Sequence, residues 1–178
     1  FTMTSLPEDP DISFVVKIYD TSEYPEHSGL TEAVGKMAPG DKVFATEPFG
    51  DLRDQGPGVL IAGGAGITPF IPILRARQNM KALDGFILIY ANKTESDIIL
   101  RRHFEEMRGL NTVFITNEER AEGLPFGMVD EEFIRQATGF DHRFYVCGPP
   151  PMMEDVIDTL RDNGVATPDL VLEEGWLD

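Results

Sequence analysis

The chain has 178 residues, of which 42% are apolar, a net charge of −16 and a single cysteine, Cys147. That length holds one good-sized domain, or a complete domain plus part of another, and the apolar fraction permits a packed core. The charge disfavours nucleic acid as a partner, one cysteine can form no internal disulfide and hold no iron–sulfur cluster, and no apolar stretch is long enough to span a bilayer.

The opening residues Phe1-Thr2-Met3-Thr4-Ser5 show no basic region followed by an apolar run, so no signal peptide is expected. A reducing, cytoplasmic setting is the default for a chain with one cysteine. The acidity reads as a solubility feature, though it also suits a positively charged redox partner. Arg75, Arg77, Arg101 and Arg102 gather locally and read as a solvated helix face.

In chain order, Ile12 to Tyr19 is a β-branched and aromatic run between turn residues, which predicts a strand. Gly29 to Met37 has helical spacing, with Ser28 as a possible cap. Pro39-Gly40-Asp41 is a turn, Lys42 to Glu47 a second short strand, and Pro48-Phe49-Gly50 closes it. The organisation then changes near residue 57. Strands are predicted at Val59–Ala62, Phe86–Ala91, Thr112–Thr116, Phe144–Cys147 and Leu170–Leu172, and helices at Phe70–Leu83, Glu95–Arg108, Asp130–Ala137 and Pro151–Asn163. Glu118 to Pro125 is a polar insertion. Short continuous apolar strands alternating with helices indicate a doubly wound parallel α/β sheet of about five strands.

Two turns carry the chemistry. Gly63-Gly64-Ala65-Gly66-Ile67-Thr68-Pro69 joins the first of these strands to its helix. Glycines let backbone approach a ligand closely, and a helix start offers free amides and a positive dipole end, which suits a pyrophosphate. Thr68 is placed to cap that helix and Pro69 to occupy its first turn. The usual dinucleotide fingerprint is incomplete: Pro69 replaces the third glycine, and Ala91-Asn92-Lys93 ends the second strand with no acid for a ribose. By itself this turn is as consistent with a ligand-free connection. The second turn, Cys147-Gly148-Pro149-Pro150-Pro151-Met152, follows the fourth strand of the sheet. In doubly wound sheets ligands bind beyond the carboxyl ends of the strands where strand order reverses. The first and fourth strands would flank that point, so both turns converge on one crevice. A lone buried cysteine is more often a small core residue than a catalyst, and no metal-ligand spacing is present.

Taken together, the two turns resemble those of the ferredoxin-NADP reductase family, which includes cytochrome b5 reductase-like and bacterial oxygenase reductase-like enzymes. The resemblance implies a nucleotide pyrophosphate loop at Gly64-Ala65-Gly66-Ile67-Thr68-Pro69 and a nicotinamide-side loop at Cys147-Gly148-Pro149-Pro150-Pro151-Met152. It implies that residues 1–56 are the C-terminal part of an antiparallel FAD-binding β-barrel and 57–178 the NAD(P)-binding domain. Phe1-Thr2-Met3-Thr4-Ser5 is similar to the end of the family's flavin motif, with Phe1 packing on the flavin and Thr2 bonding near its reactive nitrogen. Lys17 falls on a barrel strand, and Gly29-Leu30-Thr31 matches the helix start that receives the FAD pyrophosphate. Glu174-Gly175-Trp176 resembles the family's acid-x-aromatic ending, with the Trp176 ring covering the flavin and Glu174 assisting proton balance or orientation. The motif's arginine would precede Phe1, so the chain is read as N-terminally truncated. Ala65 stands where many relatives have a threonine that contacts pyrophosphate. Thr116-Asn117-Glu118 lacks the arginine that NADP-preferring relatives place there, which favours NADH; Arg120 keeps NADPH open. The implied activity is hydride transfer from NAD(P)H to FAD and onward to an unidentified acceptor, with Cys147 acting by position and polarity. The alternative is a non-catalytic NAD(P)-binding module that needs a missing FAD-binding half.

Overall fold

Five apolar runs become five parallel strands: β1 (Val59–Gly63), β2 (Ile87–Asn92), β3 (Asn111–Thr116), β4 (Phe144–Cys147) and β5 (Leu170–Val171). The computed structural model describes residues 1–22, 25, 29–48, 50 and 52–173. Ser28, Phe49, Glu174, Gly175 and Trp176 therefore lie outside the described residues. The sheet order is β3-β2-β1-β4-β5. The chain steps outward from β1 to β3, then returns to the other side of β1. The order thus reverses between β1 and β4, as the alternation of strands and helices predicts.

Both faces of the sheet are covered, and this explains why the strands read as unbroken apolar runs rather than alternating ones. Leu60, Ala62, Leu88, Tyr90, Phe114 and Tyr145 point to one face, where α2 (Phe70–Asn79) and α3 (Arg101–Glu105) pack. Val59, Ile61, Ile89, Ile115, Phe144 and Val146 point to the other, against α4 (Glu131–Ala137) and α5 (Pro150–Asp162). Asp130 caps α4 by accepting from the Phe133 amide at 2.9 Å. Helix α5 begins at Pro150, one residue before its expected start, and ends before Gly164, whose φ is +85°.

Two helices that follow the sheet strands differ from expectation. Phe70–Leu83 stops at Asn79 because Lys81 turns left-handed, at φ 54°, and the Ala82 amide donates back to the Arg77 carbonyl at 2.9 Å. The turn drops Leu83 into the core, where it is 2% exposed. A side chain at that φ costs about 1 kcal/mol, so Lys81→Gly is expected to raise stability by roughly 0.5 kcal/mol or more, read from the urea midpoint. The span 95–108 is not one helix but a 3-10 turn, Glu95–Asp97, followed by α3. Local capping outweighs periodicity here. The Thr94 amide donates to the Asp97 carboxylate at 3.2 Å while the Thr94 side chain accepts from the Asp97 amide, which closes a capping box, and Leu100 then turns left-handed at φ 55°. The break buries both Ile98 and Phe104.

The N-terminal part departs furthest from the reading. Neither Ile12–Tyr19 nor Lys42–Glu47 forms a strand ladder among the described residues; a single antiparallel bridge joins Met3 to Phe14. A strand needs a hydrogen-bonded neighbour along its length, and these runs are open: Ile12 is 71%, Val43 69% and Phe44 100% exposed. The helix expected at 29–37 is the short α1 (Leu30–Gly35), entered through Gly29 at φ 76°. Arg75 and Arg77 are not a solvated face. Arg75 forks onto Asp9 at 2.8 and 3.1 Å and donates to the Thr4 carbonyl at 3.0 Å. Arg77 forks onto Asp54 at 2.6 and 2.8 Å. Both tie the N-terminal segment to α2. Arg101 and Arg102 do pair along the helix surface, with Glu105 and Glu106. Among the described residues no helix is long and apolar enough to cross a membrane.

Candidate functional site

The carboxyl ends of β1 and β4 lie side by side, with Ala62 paired to Cys147. Their two turns interlock through glycines. A Cβ on Gly66 would overlap the Cys147 carbonyl and fall 2.7 Å from the Gly148 Cα. A Cβ on Gly63 would fall 2.9 Å from Pro149 Cδ and overlap the Met152 sulfur. Those glycines are required by packing between the turns. Gly64 differs: its φ is +52°, and nothing lies within 4 Å of where its Cβ would be. It is required by backbone conformation, and it opens onto space at the strand-order reversal. A ligand's backbone-hugging group fits there.

The glycine turn is itself helical. Gly64–Ile67 forms a 3-10 turn, and Thr68 and Pro69 continue with helical dihedrals into α2. Thr68 is therefore not a cap: its hydroxyl donates to the Ala65 carbonyl at 3.0 Å, and its amide does so at 3.1 Å. Pro69 precedes Phe70 without a side-chain cap. The amides ahead of the first bonded turn of this continuous helical start are those of Gly64 and Ala65, so the turn that was expected to lead to a helix end is that end.

Cys147 is a half-buried free thiol. Burial, and secondarily the charge of Glu173, push its thiol up to about 11. It stays protonated near neutrality, which fits a positional role and not a nucleophilic one. Glu173 was not singled out from the sequence; the acid chosen was Glu174, which lies outside the described residues along with Trp176. The missed signal was the run Leu170-Val171-Leu172, buried throughout, after which Glu173 is the first charged residue. A Cβ on Gly50 would lie 3.7 Å from the Glu173 carboxylate.

A second cluster forms at the ends of β2 and β3. Asn92 and Thr116 are paired in register and buried, at 6% and 0% exposure, and neither polar side chain has a hydrogen-bond partner. The Asn117 amide donates to the Asn92 carbonyl at 3.2 Å, and the Glu118 amide to the Lys93 carbonyl at 2.9 Å. Lys93 and Glu118 form an exposed ion pair at 2.8 Å. The polar insertion folds back on β3, because the Thr116 amide donates to the Pro125 carbonyl at 3.1 Å. Arg120 is stacked over the Phe126 ring at 4.2 Å.

The residues matched to the flavin motif make their polar contacts elsewhere. The Thr4 hydroxyl donates to the Ser13 carbonyl at 3.2 Å, and Ser5 Oγ accepts from the Ser13 amide at 3.1 Å. Thr31 Oγ1 accepts from the Tyr19 amide at 3.1 Å, and Lys17 pairs with Asp97 at 3.2 Å. Phe1 and Leu30 are 65% and 57% exposed, and Thr2 is exposed as well. Leu30 and Gly29 stand at the start of α1.

Residues 60–158 match the family model of the oxidoreductase NAD-binding domain. The chain belongs to that family. The match contains both turns, all but the first residue of β1, and strands β2 to β4, so the likeness to ferredoxin-NADP reductases seen in the two motifs extends over the domain that joins them. The chain is 29% identical over 185 residues to NADH-cytochrome b5 reductase 1 of Bos taurus, covering 85% of this chain and 61% of that one. Among solved structures it is similar to an Amycolatopsis cytochrome P450 reductase, with TM-score 0.67, 25% identity, and coverage of 77% of this chain and 45% of that one. It shares the fold of a ferredoxin NADP+ reductase from Neisseria gonorrhoeae with bound FAD and NADP, with TM-score 0.63 and 22% identity over 80% of this chain and 68% of that one. The chain thus spans 61% of the length of the bovine relative.

Proposed function

We propose that the chain is the nucleotide-binding part of a flavin-dependent oxidoreductase that passes electrons from NADH through FAD to a redox partner. Residues 57–178 form its NAD(P)-binding domain, and residues 1–56 the C-terminal part of an FAD-binding barrel. The observation that carries the reading is the crevice in which Gly66 lies against Cys147 and Gly148 while Gly64 opens onto space. A pyrophosphate fits that cradle, because the amides at residues 64 and 65 begin an unbroken helical segment that ends in α2. The bovine relative is named for NADH and cytochrome b5, and the gonococcal structure holds FAD and NADP.

The chain's own contribution is placement. The glycine turn binds the pyrophosphate, and the rigid Pro149-Pro150 start of α5 holds the Cys147-Gly148 turn against it. The protonated Cys147 adds no charge of its own to the nicotinamide side of the crevice. When bound, NADH would supply a hydride and FAD would take it up; the chain's residues would align the two. The FAD side fits in part: Phe1 and Thr2 are exposed and available, whereas the hydroxyls of Thr4, Ser5 and Thr31 are engaged internally. Glu118 supports NADH over NADPH, since a 2′-phosphate beside it meets a like charge. Glu118→Arg is expected to improve NADPH use about tenfold relative to NADH, read from kcat/KM for each.

The test is anaerobic stopped-flow absorbance on FAD-loaded protein mixed with NADH or NADPH. Bleaching of the flavin band, faster with NADH, supports the oxidoreductase. Failure to retain FAD while NADH still binds by calorimetry supports instead a non-catalytic NAD(P)-binding module, a reading favoured by the internal engagement of Thr4, Ser5 and Thr31.

A further inference from the structure

We propose that the Tyr90 hydroxyl is a positioning group for the nucleotide turn, acting by fixing the peptide between Gly64 and Ala65; this rests on the nucleotide-binding reading above. Tyr90 is fully buried on β2, between Phe104 and Phe114, with ring centroids 6.3 Å away in each case. A phenylalanine would fill that place without bringing a hydroxyl into the core. The hydroxyl instead donates to the Gly64 carbonyl at 2.9 Å. Gly64 is the residue of the turn with φ +52° and open space on its Cβ side.

The consequence follows from peptide geometry. The Gly64 carbonyl shares a planar trans peptide with the Ala65 N–H, and in a trans peptide these two groups point in opposite directions. Holding the carbonyl down on buried Tyr90 aims the Ala65 amide away from the sheet, towards the crevice. Ala65 has no side-chain hydroxyl to offer a pyrophosphate, so its amide is the group that must be aimed. Being in the first turn of a helical segment, that amide has no acceptor within the turn. The row continues along the same face of the sheet. Asn92 lies two residues beyond Tyr90, beside its hydroxyl, and Thr116 stands opposite Asn92 in register. Asn92 and Thr116 are buried, and Tyr90 is the member of this polar row whose hydroxyl reaches the turn. Burial raises the Tyr90 pKa far above its ordinary value, so the hydroxyl remains a donor throughout the working pH range.

The experiment is titration calorimetry of the full chain with ADP-ribose, for wild type, Tyr90→Phe, Gly64→Ala and the double variant, with amide NMR of Ala65. Wild type is expected to bind, with the Ala65 amide proton moving downfield. Tyr90→Phe is expected to weaken binding roughly fivefold to tenfold, as for loss of one oriented hydrogen bond, and to reduce the Ala65 shift. The double variant should bind no more weakly than Gly64→Ala alone, because both changes act on one peptide. Additive losses, or a Tyr90→Phe protein with lower Tm and unchanged affinity and Ala65 shift, would overturn the proposal. Should Tyr90→Phe not fold, Gly64→Ala decides alone: an unchanged Ala65 shift on ligand binding defeats the idea. Wild type that does not bind ADP-ribose sinks the nucleotide-binding reading itself, and is seen before any variant is made.

Discussion

Gly66→Ala should be the most damaging small substitution in the chain. Its Cβ would overlap the Cys147 carbonyl and lie 2.7 Å from the Gly148 Cα, so the strain falls on two backbone segments and not on a flexible side chain. Neither segment can yield freely: one ends β4 in the middle of the sheet, and the other begins the helical path into α2. Overpacking of this kind costs about 3 kcal/mol or more. Where the chain still folds, the two turns must part, and a misplacement of about 1 Å in a binding site costs roughly a hundredfold in function. Urea unfolding and NADH calorimetry on the same variant check both. Gly64→Ala makes the useful contrast, since no atom lies within 4 Å of its Cβ. It should lose only about 1 kcal/mol of stability, from its left-handed backbone alone. Equal stabilities for wild type and Gly66→Ala would refute the interlocked geometry.

The second large effect concerns Cys147. With its thiol pushed from 9.0 to about 11, by burial first and by Glu173 second, little thiolate is present near neutrality. Iodoacetamide is expected to label it roughly a hundredfold more slowly than it labels an unhindered thiol of ordinary pKa, since only the thiolate reacts. Glu173→Gln should speed labelling, because removing a negative charge lowers the thiol pKa. Labelling of the native protein at the rate of glutathione would contradict the buried, protonated thiol. The same shift has a consequence for stability. Above about pH 9 the unfolded chain loses a proton that the folded chain keeps until about 11, so stability falls as pH rises through that window.

The first residues of the chain invite a different comparison. Ile12–Tyr19 and Lys42–Glu47 have strand-forming composition, yet only the Met3–Phe14 bridge forms among the described residues. Composition expresses a preference, and a strand exists only when a neighbour supplies its hydrogen bonds. The basic pair Arg75 and Arg77 makes the same point on a helix. Their spacing says only that they share a helix; that Asp9 and Asp54 come within reach is a matter of chain path.

What the sequence determined by itself was the alternation of β1 to β5 with their helices and the place where strand order reverses. Those follow from local periodicity and from the rule that buried parallel strands are apolar along their whole length. It also marked the two glycine turns, because tight backbone leaves a glycine signature. Tertiary structure alone decided what those glycines are for, Gly66 by packing against Cys147 and Gly64 by opening the crevice. And it alone joined Tyr90 to Gly64 and Glu173 to Cys147, which lie 26 residues apart in each case. Contacts of that kind depend on which strands become neighbours, and no local pattern encodes them.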